Sequence, residues 1–167
     1  MSVTVRYRGT LSDPTSLARL REDFQDIAAI QGWPVDLMDR EDLPSRPGGG
    51  SLMAPPLALA GIKVVVHPQT DPLWLTFDEA GVLTRLGDYP LDATAYENGS
   101  RSLRLGLLYQ AQASIQTSIG GSDLHKTVVG LLDYLKSTYV HDLQVSDDTS
   151  FWETRDTEAL RKLMDRR

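Results

Sequence analysis

A chain of 167 residues with 23 acidic and 17 basic side chains has a formal charge of −6 and contains no cysteine. That length suits one domain held by core packing, and without cysteine there are no disulfide frameworks, thiolate metal sites, iron–sulfur clusters or cysteine nucleophiles. The negative balance opposes general binding to phosphate backbones, which makes nucleic acid an unlikely partner.

The first element is a strand: Val3, Val5 and Tyr7 alternate with Thr4, Arg6 and Arg8, the period-2 pattern of a sheet with one buried face. Ser12-Asp13-Pro14 then offers a helix cap followed by a proline suited to a first turn. Leu17, Leu20, Phe24, Ile27 and Ala28 recur at helical spacing until Gly32 supplies a stop. From 34 to 56 prolines, glycines and acids replace any period, predicting a long mobile loop that is either functional or disordered. Leu57 to His67 reads as a buried strand with Gly61 as a bulge. Leu73 to Phe77 reads as another strand, turned by Asp78-Glu79-Ala80-Gly81 into Val82 to Leu86 as a hairpin.

A second mobile loop is expected from 87 to 101, then Leu103 to Tyr109 as strand or short helix, and Ala113 to Ser118 as strand. Gly120-Gly121-Ser122 introduces an amphipathic helix through Leu124, Val128, Leu131, Leu132, Leu135 and Tyr139, with Ser122 as its cap. Leu143 and Val145 mark a strand, Asp147 to Ser150 a turn, Phe151-Trp152 a returning strand, and Thr157 to Met164 a short closing helix. Thr154 or Asp156 can cap that last helix. The consecutive hairpins predict an α+β fold over 1–167 as a single domain. Its mostly antiparallel sheet carries two long amphipathic helices and a short C-terminal one.

The set Ile115-Gln116-Thr117, His125, Val128, Leu131-Leu132, Tyr134-Leu135-Lys136, Tyr139, Asp142-Leu143, Val145, Asp147 and Phe151-Trp152-Glu153-Thr154 with Asp156 resembles a C-terminal pattern. That pattern belongs to a group of small bacterial α+β proteins with no assigned activity, and reads H-x-x-V-x-x-L-L-x-Y-L-K, then D-L-x-V-x-D, then Y-W-E-T-x-D. His67-Pro68 before Trp74 and Phe77 fits the same picture, while Phe151 stands where that pattern has tyrosine. The resemblance implies a fold unit and supplies no mechanism. The element order is also loosely similar to chaperone-like α+β proteins that bind partners as homodimers, a likeness of fold alone.

Two surfaces are candidates for function. Gly120, Gly121 and Ser122, with His125 and Lys126 in the first turn, could present backbone N–H groups at a positive helix end as an anion site, against the plain reading of an ordinary cap. Neither phosphate-loop glycine pattern is present. From Asp142 to Glu158 acids dominate, and Asp147, Asp148, Trp152 and Glu153 could meet a protein partner, against the plain reading of a solvated acidic edge. The acids lack the spacing of a calcium loop. His67, His125 and His141 share no metal-ligand spacing, and no nucleophile elbow occurs, so neither a metal, a cofactor nor a catalytic residue is assigned. Arg6 with Arg8, and Arg161, Lys162, Arg166 and Arg167, are the basic patches available to nucleic acid, and both read as solvated faces.

The expected function is a non-enzymatic protein-interaction or adaptor module, with a chaperone-like homodimer as one form of it. Its alternative is an anion-binding or hydrolytic enzyme centred on Gly120 to Lys126. With no signal pattern at the N-terminus and no apolar run of membrane-spanning length, a cytoplasmic location without membrane contact is the expectation.

Overall fold

The computed structural model describes residues 2–38, 59–86 and 109–165. The calls on 39–58 and 87–108, which include most of both predicted loops, lie outside these residues, as do Arg166 and Arg167. The strands form two three-stranded antiparallel sheets and a two-stranded one. In the first, β1 (Thr4–Arg8) is central between β7 (Ala113–Gln116) and β8 (Gln144–Asp147). In the second, β3 (Ala60–Val64) lies between β2 (Val35–Met38) and β4 (Leu73–Phe77). The pair β5 (Arg85–Leu86) and β6 (Tyr109–Gln110) completes the set.

The alternation in β1 does what the pattern predicts: Val5 and Tyr7 are buried while Arg6 and Arg8 are exposed. Opposite Val5 stand Ile115 of β7 and Asp147 of β8. Helix α1 (Leu17–Gln31) lies on β3 and buries Leu20, Phe24 and Ala28. It follows a 3-10 turn, Pro14–Ser16, for which Asp13 is the cap, and it stops at Gly32, whose φ of +74° is the left-handed conformation a helix terminus favours in glycine. Helix α2 (Gly121–Thr138) sends Leu124, Val128, Leu131, Leu132 and Leu135 into the same apolar cluster as Val5, Tyr7 and Ile115. Each fully buried leucine contributes about 2 kcal/mol relative to exposure. Helices α3 (Phe151–Thr154) and α4 (Thr157–Met164) end the described chain, and Phe151 and Leu160 pack on Val129 in a smaller cluster.

The two sheets are joined through backbone. Beyond β1 the chain bridges Thr10 to Val82, and Leu83 N–H donates to the Gly9 carbonyl at 2.8 Å. Phe77 bridges Leu83 in turn, after the predicted Asp78–Gly81 turn. Tyr7 adds a side-chain link: its buried hydroxyl donates to the Trp74 carbonyl at 2.8 Å and accepts the Trp74 N–H at 2.9 Å. One hydroxyl thereby closes the edge of β4 as a neighbouring strand would, and burial pushes the Tyr7 phenol well above its ordinary pKa.

Three local expectations are corrected. The stretch after Trp33 begins as strand β2 rather than loop, because Val35 and Leu37 pair opposite Val64 and Ile62 of β3. Gly61 forms no bulge, since the registers Met38↔Gly61 and Gly61↔Thr76 are unbroken. It serves close approach instead. Phe151-Trp152 is a helical turn rather than a returning strand, because Asp147 accepts the N–H groups of Thr149 at 2.8 Å and Trp152 at 3.0 Å and winds the chain around its carboxylate.

Candidate functional site

The conspicuous polar cluster is internal. His125, on α2, is fully buried, with Thr117 Oγ1 2.7 Å from Nδ1 and Asp147 Oδ2 2.9 Å from Nε2. Thr149 Oγ1 lies 3.2 Å from Nε2 and donates to Asp147 Oδ1 at 2.8 Å. The ring's Nε2–H donates to the carboxylate, and the Thr117 hydroxyl serves Nδ1 as donor or acceptor. Phe151 meets the imidazole edge-on with centroids 6.1 Å apart. Burial alone would push the Asp147 carboxyl up, but hydrogen bonds from His125 and from the amide and hydroxyl of Thr149 outweigh it and hold its pKa at about 2.

Hydroxyl, imidazole and carboxylate in series have the order of a nucleophile, its base and an orienting acid. Thr117 and His125 are nevertheless 0% exposed, so no substrate atom reaches them. The cluster ties the end of β7, the first turns of α2, the end of β8 and the start of α3 to one another.

The helix end proposed as an anion site holds an anion from the chain itself. Ser122 does not cap α2; Gly120 occupies the cap position without a side-chain bond, and Ser122 lies inside the helix. Asp165, just past α4, accepts the Ser122 N–H at 2.9 Å and the Ser122 hydroxyl at 2.5 Å. A carboxylate there complements the helix dipole, and those two bonds hold the Asp165 carboxyl below the usual carboxylate range. A capping partner 43 residues away has no local sequence signal. Lys126 pairs with exposed Asp123 at 3.5 Å, and His125 faces inward, so Gly120, Gly121, Ser122, His125 and Lys126 do not converge on an open site. Replacing Asp165 with alanine is expected to speed amide hydrogen exchange at Ser122 and along α4 while leaving β1 and β7 protected. Exchange mass spectrometry checks this directly.

The turn after His67, rather than His67 itself, faces the approach to α2. Gln69, Thr70 and Asp71 oppose Gln116, Ser118 and Ile119 across an open cleft of about 450 Å³. Among the described residues no three His, Asp or Glu side chains form a metal-holding group, and no helix is long and apolar enough to cross a membrane.

No protein-family model, curated protein or solved structure matches the chain. The surface must be read from its own geometry.

Within the acidic segment Asp148 and Glu158 are ion-paired inside the chain. Asp147 points inward and is no surface residue; Asp148 pairs with Arg6 at 3.2 Å and accepts the Thr4 N–H at 3.0 Å. Trp152 is half-buried, with the Arg155 guanidinium 4.8 Å from its ring centre, and Arg155 forks onto Asp133 of α2. Glu153 is exposed. Among the described residues of the basic patches, Arg8 bonds to Gln144 and Arg161 to Glu158.

What remains open in this segment is backbone. β8 pairs only with β1, and Asp148 N–H donates to the Thr4 carbonyl. Antiparallel alternation then turns the N–H and C=O groups of Gln144 and Ser146 toward β1, and those of Val145 away from it. The Val145 groups and the Asp147 N–H have no hydrogen-bond partner among the described residues. Sequence patterning located the strand but not this edge, because which side of a strand stays unpaired depends on strand order.

Proposed function

We propose that the chain is a non-enzymatic protein-interaction module that engages a partner along the outer edge of β8. The observation that carries this reading is the bare backbone edge at Val145, on the strand whose Asp147 carboxylate accepts the amide of half-buried Trp152. An unpaired strand edge is a template for strand addition: main-chain bonds supply affinity and adjacent side chains supply selectivity. The enzymatic alternative has less support, since Asp165 fills the helix end and the imidazole–carboxylate pair is sealed from solvent.

The test is capture of binding proteins by the intact chain and by a Val145→Pro variant. Proline removes the outward N–H without touching a bond to β1 and is tolerated on strand edges. A partner retained by the parent and lost by the variant is the expected result. Partners held equally by both would move the binding surface elsewhere, and their complete absence would count against the module.

A further inference from the structure

We propose that the occupant of the β8 edge is a second copy of this chain, with the two β8 strands antiparallel about a two-fold axis at Val145. This rests on the reading of the chain as an interaction module and adds the partner's identity and the register.

Three observations carry it. First, the edge is self-complementary. With Val145 opposite Val145 of the second copy, each N–H faces the other's carbonyl, and both groups already point outward in the single chain. The same register puts each outward Asp147 N–H opposite the Leu143 carbonyl of the other copy. That oxygen takes Lys136 Nζ at 2.8 Å and keeps a second lone pair.

Second, the middle of the outward edge lacks the devices that keep sheets apart, Lys136 reaching only its Leu143 end. Gln144, Val145 and Ser146 carry no charge, proline or glycine, and the β1–β8 register has no bulge. Elsewhere the fold does close an edge, by seating the Tyr7 hydroxyl on the backbone of Trp74.

Third, the acid that flanks the seam is paired. Asp148 N–H donates to the Thr4 carbonyl, which carries the β1 register one residue past the end of β8, and Arg6 holds the Asp148 carboxylate at 3.2 Å. Like charges facing one another would oppose pairing, and Lys136 supplies a further cation beside Leu143. An isologous contact of this kind closes as a dimer and leaves no free β8 edge for further growth. The seam is short, which places it among weak, dilutable contacts.

Sedimentation across a concentration series reads the outcome, alongside amide exchange of the intact chain at low and high concentration. The expected result is a rise toward twice the monomer mass, a Val145→Pro variant that stays monomeric with unchanged circular dichroism, and concentration-dependent protection at the Val145 and Asp147 amides. The exchange measurement stands even if the proline variant does not fold. A dimer that persists in the variant, or one without protection at those two amides, would overturn the proposed seam. A monomer at every concentration would overturn self-pairing; if the parent then still captured another protein and the variant did not, the module reading would survive without it. Failure of both results would remove the two together.

Discussion

Replacing Asp147 with alanine is expected to destabilise the fold by about 3–5 kcal/mol, a large share of a single domain's total stability. The carboxylate is the common acceptor for His125 Nε2, the Thr149 amide and hydroxyl, and the Trp152 amide. Its removal strands these donors around a buried gap, and each unsatisfied buried group costs about 1–3 kcal/mol. Chemical denaturation measures the loss, and a change below about 1 kcal/mol would show that the cluster does not clamp the fold.

The same carboxylate sets an acid limit. Its pKa is depressed to about 2 in the folded chain against 3.8 as the ordinary value, so the folded state favours the ionised form. The resulting stabilisation is fully present above about pH 4 and is lost as the pH falls through about 2, in total about 2 kcal/mol. Melting temperature followed from pH 5 to pH 2 should fall more steeply for the parent than for Asp147→Asn. Equal slopes would assign the acid sensitivity to other groups.

Gly61→Ala should cost about 4 kcal/mol or more, in the range reserved for a defined structural break. An added Cβ would stand 2.0 Å from the Leu75 carbonyl oxygen and 2.8 Å from the Thr76 Cα, and the backbone φ of +149° is itself hostile to L side chains. Neither atom is the end of a flexible side chain, so relief requires β3 and β4 to separate in the middle of the second sheet. Gly130→Ala is the internal control: it is an exposed helix position with nothing within 4 Å of the added carbon. There the substitution should stabilise by about 0.5–1 kcal/mol. Thermal denaturation of the pair separates a steric role at Gly61 from a general effect of removing glycine, and similar stability changes in both would refute the close-approach argument.

The bulge expected at Gly61 shows where patterning stops being informative. Glycine within an apolar strand signals either an extra residue or a near neighbour, and the two differ only in what lies across the sheet. The Ser122 cap failed for a related reason. A serine after two glycines satisfies the local rule, but Asp165 supplies an ionised acceptor from the far end of the described chain and draws Ser122 into the helix as its donor. His125 reads as a first-turn polar residue in one dimension. Its burial follows from Thr117 and Asp147, which lie eight residues before it and 22 after it.

By itself, the sequence determined the α+β class, the strands at Thr4–Arg8 and Leu73–Phe77, the closing helix from Thr157 to Met164, and the faces that α1 and α2 bury. These depend on period, on caps within a few residues, and on β-branched or leucine content, all of which act over a turn or a strand. Only the tertiary structure decided that Asp147 forms an interior clamp while Asp148 pairs with Arg6, that the positive end of α2 is filled from within, and that β8 keeps an open edge. Hydrogen-bond satisfaction of buried groups and strand order are properties of residues brought together from distant parts of the chain, and no local pattern encodes which of them will meet.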